Sequence, residues 1–167
     1  MMAEGAIPSD YETAAERHEP ELRLWLRLLT CTSMVEGEVR GRLRDRFSVT
    51  LPRFDMMAAL DRAPEGLTMG ALSRRLMVSN GNVTGVADRL VAEGLVSREA
   101  APGDRRSAVI RLTPRGRQAF AEMARAHEAW IAGFFSGLDA DEIAQLMDLL
   151  GRAKRSVRAS LRREETP

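Results

Sequence analysis

From Glu21 to Arg46 apolar residues recur at helical intervals. Leu22, Trp25, Leu26 and Leu29 form an i, i+3, i+4, i+7 stripe, and Leu24, Leu28, Cys31 and Val35 form a second stripe on another side. A helix apolar on more than one side has more than one partner, and in a chain this short the second partner can be another copy of the chain. After Val35 the pattern thins to Val39, Leu43 and Phe47 between arginines and acids. Pro52 fits the first turn of a second helix carrying Phe54, Met56, Met57 and Leu60 and ending near Ala63-Pro64. Thr68 is a good N-cap for a third, with Leu72 and Leu76. Ser79 caps a fourth, with Val83, Val86, Ala87 and Leu90 inside and Gly94 as its left-handed stop.

The period then changes. Leu95–Glu99 and Ala108–Leu112 read as two short strands, and Pro102–Arg106 between them has the composition of an exposed hairpin tip. Thr113-Pro114 opens another helix carrying Phe120, Met123, Ile131 and Phe134, which breaks near Gly137. Asp139 to Glu142 resembles a capping box, and a last helix follows with Ile143, Leu146, Met147, Leu150, Ala153, Val157 and Leu161 on one face. The fold class is therefore mainly α with a small β-hairpin wing. Residues 1–20 form an N-terminal arm, 48–113 a winged helix-turn-helix, and 21–47 with 114–162 a helical region suited to dimerisation.

The mechanics of the central segment follow from this spacing. Leu72, Leu76, Val78, Val83, Val86 and Leu90 lock two short helices across a tight turn. The outward face of the second is left small and polar: Asn80, Gly81, Asn82, Thr84, Gly85, Asp88 and Arg89. Such a face enters a major groove without steric penalty, where Asn can pair with adenine and Thr can reach a thymine methyl or a phosphate. Ser79 opens that helix with its N-terminus exposed, which suits a phosphate oxygen. The plainer reading makes Ser79 to Asn82 only a polar cap on a core helix, and the adjacent basic hairpin argues against it.

Net charge is only +1, so where the charge sits matters more than its sum. Ser97 to Arg117 holds six arginines against Glu99 and Asp104. Arg105 or Arg106 at the hairpin apex suits a narrow minor groove, where negative potential is strongest. Asp104 pairs with one of them and aims the other. The preferred assignment sends Arg105 into the groove and uses Arg106 as partner, and the reverse is also open. The basic run Arg152, Lys154, Arg155, Arg158, Arg162 and Arg163 reads as a solvated or subunit-bridging face in preference to a further DNA contact.

Several function classes recede. No apolar run approaches the roughly 20 residues that cross a bilayer, and no signal peptide opens the chain. A lone cysteine, Cys31, excludes an internal disulfide and fits a reducing cytoplasm. It sits mid-helix beside Leu28, Leu29 and Thr32, so a buried inert thiol is expected ahead of a redox sensor. His18 and His127 are isolated, no metal-spaced ligand cluster occurs, and neither a P-loop nor a GxSxG elbow is present, so neither an enzyme nor a cofactor is expected. A winged helix used only for protein contact remains an alternative, although it has no need of a minor-groove arginine.

These residues resemble the MarR (multiple antibiotic resistance regulator) family from about Glu21 to Leu161. Asp104-Arg105-Arg106 followed by Leu112-Thr113-Pro114-Arg115-Gly116 matches its wing signature, and Leu72 to Thr84 its helix-turn-helix. Ser73 stands where Ala is usual, and Met77 where the turn often has Gly. The resemblance implies a homodimer whose first and last helices pack together and carry two reading heads onto a pseudopalindromic operator in double-stranded DNA. The half-sites would lie about 34–36 Å apart. It further implies a repressor released by a small-molecule effector in a cleft bordered by the first two helices, where Trp25, Arg53, Phe54 and Met57 are candidate contacts. Leu22–Leu29, Thr50–Asp55 and Ser79–Gly85 look similar to regulators of aromatic-acid breakdown, which points to an aromatic acid or aryl-CoA thioester such as a hydroxycinnamoyl-CoA.

Overall fold

The computed structural model describes residues 19–77, 79–101 and 104–164; the side chains of Asn80, Ala101, 104–107 and Glu164 lie outside that description. The expected arm therefore falls almost wholly outside the described residues, as do Val78 and the Pro102-Gly103 tip. The order is α1 (Pro20–Phe47), α2 (Leu51–Asp61), β1 (Leu67–Thr68), α3 (Met69–Leu76), α4 (Asn80–Ala92), β2 (Val96–Ala101), β3 (Asp104–Leu112), α5 (Pro114–Phe134) and α6 (Ala140–Glu164). Mainly helical with one small antiparallel sheet, this is the expected fold class. The chain divides into two compact units, residues 1–130 and 131–167, with α5 running across the division.

In the first unit the core lies where α1, α2, α3, α4 and the sheet present their apolar faces, and Leu43, Met56, Met57, Leu60, Leu72, Val83, Leu90 and Ile110 are fully buried. Proline at the start of α1 and in the first turn of α2 costs no hydrogen bond, because those N–H groups have no partner inside a helix. Only the second half of α1 contributes to the core, through Val39 and Leu43. Its first half leaves Leu22, Leu24, Trp25, Leu29 and Met34 exposed. Cys31 is exposed as well, contrary to the burial expected of it, since its side of the helix is left uncovered by the described residues.

α2 ends at Asp61 with its cap at Arg62, next to the expected stop at Ala63-Pro64. Two features depart from the expected layout. First, β2 and β3 extend further than the sequence pattern indicates, so Asp104, Arg105 and Arg106 have strand backbone and do not form part of the turn. Second, a two-residue strand, β1, joins the sheet in the order β1-β3-β2, with Leu67 opposite Ile110 and Thr68 opposite Val109. Gly66 makes that pairing possible: its φ is +83°, and a Cβ there would sit 2.5 Å from Val109 Cγ1 and 2.7 Å from the Ile110 carbonyl oxygen. Two residues are too few to show a period, so β1 leaves no trace in the apolar pattern.

The helix ends follow expectation. Thr68 accepts the Ala71 N–H at 3.2 Å and Ser79 accepts the Asn82 N–H at 3.5 Å. Gly94, at φ +69°, lets the Leu95 N–H return to the Leu90 carbonyl. Met77 also adopts the left-handed region at φ 54°, which explains why the family pattern often has glycine there, and its side chain is 90% exposed.

The second unit comprises the end of α5, a short turn and α6. The capping box is present: Asp139 Oδ1 accepts the Glu142 N–H at 2.8 Å, and Glu142 Oε2 accepts the Asp139 N–H at 2.9 Å. The apolar stripe of α6, including Leu146, Met147, Leu150, Val157 and Leu161, is exposed.

Candidate nucleic-acid interface

α4 buries Val83, Ala87 and Leu90 and turns Gly81, Asn82, Thr84, Gly85, Asp88 and Arg89 outward. Among the described residues nothing lies within 4 Å of a Cβ built on Gly81 or Gly85, so their packing requires neither glycine. Each costs the helix roughly 0.5–1 kcal/mol relative to Ala, and what it provides is a flat exposed surface. α3 is held behind α4: Leu72 is buried, and Arg75 Nη1 donates to the Ala59 carbonyl of α2 at 3.2 Å. One of the basic residues of the helix-turn-helix is thus structural.

The wing flanks α4 on one side. Val96, Ile110 and Leu112 face the core, and Arg98, the next residue of β2 on that face, pairs with Asp88 of α4 at 2.9 Å. On the other face Arg111 Nη1 donates to Glu99 Oε2 at 2.6 Å, which ties β3 to β2. The base of the wing is latched to α5. Thr113 Oγ1 donates to the Gly94 carbonyl at 2.8 Å and accepts the Gly116 N–H at 3.0 Å, and Arg115 Nη1 donates to the Glu93 carbonyl at 3.2 Å. Of the six arginines between Ser97 and Arg117, then, Arg98, Arg111, Arg115 and Arg117 have partners within the fold, the last on the Leu112 carbonyl. The Asp104, Arg105 and Arg106 side chains are outside the described residues, as is that of Asn80.

On its other side α4 borders a cleft of about 370 Å³, lined among others by Pro52, Arg53, Gly81, Asn82, Val86 and Arg89. Arg53 is largely withdrawn from solvent and ion-pairs with Glu93, and its Nε is buried without a hydrogen-bond partner among the described residues. Burial, and then the nearby Arg89 guanidinium, lower the Arg53 pKa from its ordinary value. A second cavity of about 330 Å³ shares Arg53 but includes Glu93 and Glu122.

The four candidate effector contacts are not brought together. Met57 is wholly buried, Phe54 packs in the core with its ring 5.6 Å from Phe120 and 5.0 Å from His127, and Trp25 is exposed on α1. Of the four, Arg53 alone lines the described cavities. The sequence pattern places Asp88 on the outward face of α4 and Arg98 among the six arginines of the basic segment, without pairing them, and it does not single out Glu93. Two-residue alternation from Val96 places Arg98 on the core-side face of β2, but only the tertiary fold shows which acid it meets.

Among the described residues no group of three His, Cys, Asp or Glu is placed to hold a metal ion, and no helix is long and apolar enough to cross a membrane.

A helix-turn-helix with an open polar helix face, flanked by a two-stranded wing, defines a winged-helix DNA-binding protein. Comparison with known proteins agrees. The MarR family model matches residues 47–107. The HTH-type transcriptional regulator YkoM of Bacillus subtilis is 39% identical over 72% of this chain and 77% of its own. The transcriptional activatory protein BadR of Rhodopseudomonas palustris is 30% identical over 93% and 91%. Among solved structures, a cysteine-to-serine mutant of MarR from E. coli, complexed with operator DNA, superposes with a TM-score of 0.69 at 25% identity, covering 80% of this chain and 95% of that one. The chain belongs to the MarR family and is a DNA-binding transcriptional regulator; the relatives are regulators and not enzymes.

Proposed function

We propose that the protein is a homodimeric repressor that binds a pseudopalindromic operator and is released by a small anionic effector. Residues 48–113 form the reading head, and 21–47 with 114–162 the dimerisation region. The observation that carries this reading is the α4 surface: exposed, glycine-bearing, with a wing on one flank and a cationic cleft on the other. Asn82 and Thr84 read base edges, Ser79, Asn80 and Arg89 contact phosphates, and Arg105, aimed by Asp104 and Arg106, enters the minor groove. The exposed apolar residues of α1 and of α6 are surfaces that a second copy covers, since apolar patches of that extent mark interaction sites.

The α2–α4 cleft is the effector site. Arg89 supplies positive charge, Arg53 further N–H donors, and Val86 and Pro52 an apolar wall, a combination suited to an aromatic carboxylate or an aryl-CoA thioester. Because Asn82 and Arg89 belong to both the cleft and the DNA face, an occupied cleft disfavours the DNA-bound form. A difference of ~3 kcal/mol between the two forms loosens the operator about a hundredfold. A regulator with such an effector controls aromatic-compound catabolism in the cytoplasm.

Selection of randomised duplex DNA on the purified protein tests the reading. An enriched pseudopalindrome with half-sites about one turn apart supports it and supplies the probe for an effector screen among aromatic acids and their CoA thioesters. Binding without enrichment would replace the repressor by a DNA coater. Absence of binding at low salt would favour a protein-contact module.

A further inference from the structure

The ion pair between Asp88 and Arg98 lies beyond the edge of the core that joins the wing to α4. Val96, Ile110 and Leu112 complete that core, and Arg98, paired in register with Ile110, is the next side chain outward on β2. There it meets a carboxylate on the outward face of the reading helix, a position where duplex DNA repels negative charge. The two side chains are 38% and 56% exposed, for Arg98 and Asp88 respectively, and an exposed pair of this kind adds little to folding stability. An acid facing the DNA therefore calls for an explanation in binding.

We propose that Asp88 is a specificity-determining residue, which holds Arg98 away from the phosphate backbone and fixes the wing against the reading helix. An arginine at the junction of the two DNA-contacting elements attracts any duplex equally, because phosphate contacts carry no sequence information. Paired with Asp88, Arg98 gives no net charge to that sequence-independent attraction, and β2 keeps a set position relative to α4. What a regulator needs is the ratio of operator affinity to random-DNA affinity, and restraining a non-reading cation raises that ratio. The inference rests on the operator-binding reading above.

The experiment measures affinity of the full chain for a random-sequence duplex and for the duplex enriched by selection, each across a salt series, in the wild type, D88N, R98Q and the double variant. D88N is expected to bind random duplex about three- to tenfold more tightly, with the salt slope steeper by about one unit, one further phosphate contact. Its operator affinity rises less, so the specificity ratio falls. In the R98Q background the D88N gain on random duplex shrinks by at least half on a logarithmic scale, because the cation that Asp88 restrained is gone. Thermal melting checks that each variant is folded. A D88N protein with wild-type salt slope and specificity ratio overturns the proposal. So does a D88N gain that persists by more than half without Arg98, since Asp88 would then act by direct repulsion of DNA. Failure of the wild type to bind any duplex would instead remove the operator-binding reading itself.

Discussion

Replacing Gly116 with alanine isolates the contact that ties α5 to the base of the wing. A Cβ built there lies 1.9 Å from the Leu95 carbonyl oxygen, 2.8 Å from its carbon and 3.3 Å from Leu112 Cδ2. Real Cβ contacts stay beyond about 3.0 Å, so the strand and helix must separate by roughly 1 Å. The neighbour that has to move is backbone. It also accepts the Thr113 N–H at 3.0 Å, and the Thr113 hydroxyl lies 3.2 Å from it. Overpacking of this kind costs ~1–3 kcal/mol and weakening a hydrogen bond about 1 kcal/mol more, offset by roughly 0.5–1 kcal/mol of helix propensity gained from alanine. The net expectation is a loss of ~2 kcal/mol, or a melting temperature lower by about 4–8 °C in a domain of this size. Gly37 in α1 is the control: no described residue lies within 4 Å of its Cβ position, so Gly37→Ala should raise stability slightly. Thermal melts by circular dichroism at one protein concentration measure both, since the stability of the proposed dimer would depend on concentration. Gly116→Ala melting at or above the wild-type temperature would refute the reasoning.

Met77→Gly should stabilise the fold by ~1 kcal/mol, because Met77 holds a left-handed φ of 54° while burying almost nothing; urea unfolding reports the change. Burial lowers the His127 pKa, partly opposed by Glu128. The unfolded chain therefore takes up the proton first, and stability that is full above about pH 6.5 declines as pH falls through that value toward the lower folded pKa. His127→Gln should flatten that decline in melts from pH 7.5 to 5. Asn82→Ala should relax base preference at one position per half-site, read from selected sequences, while Arg105→Ala should weaken operator binding by ~1–3 kcal/mol with the dimer intact by sedimentation. Cys31 should react with a thiol reagent slowly in a dimer and fast on dilution to monomer, if the exposed half of α1 is the surface that a second copy covers.

Much of the architecture is written in local signals. Apolar period, proline in first turns, the Thr68, Ser79 and Thr113 caps and the Asp139–Glu142 box each act within a few residues, so they place helices without knowledge of the fold. The open face of α4 was legible for the same reason, since its inner residues announce themselves by spacing. What tertiary structure alone decided depends on residues distant in the chain. β1 exists because the edge of β3 was available to pair with it, and Gly66 and Gly116 are required because backbone from elsewhere passes within contact distance. Arg53, Arg75, Arg98, Arg111 and Arg115 look alike in the sequence, but the fold assigns them to a cleft, a carbonyl, a reading-helix acid, a wing strand and a helix end. Charge is a property of composition, whereas the acids that neutralise Arg98 and Arg53 are set by packing across ten and forty residues of chain.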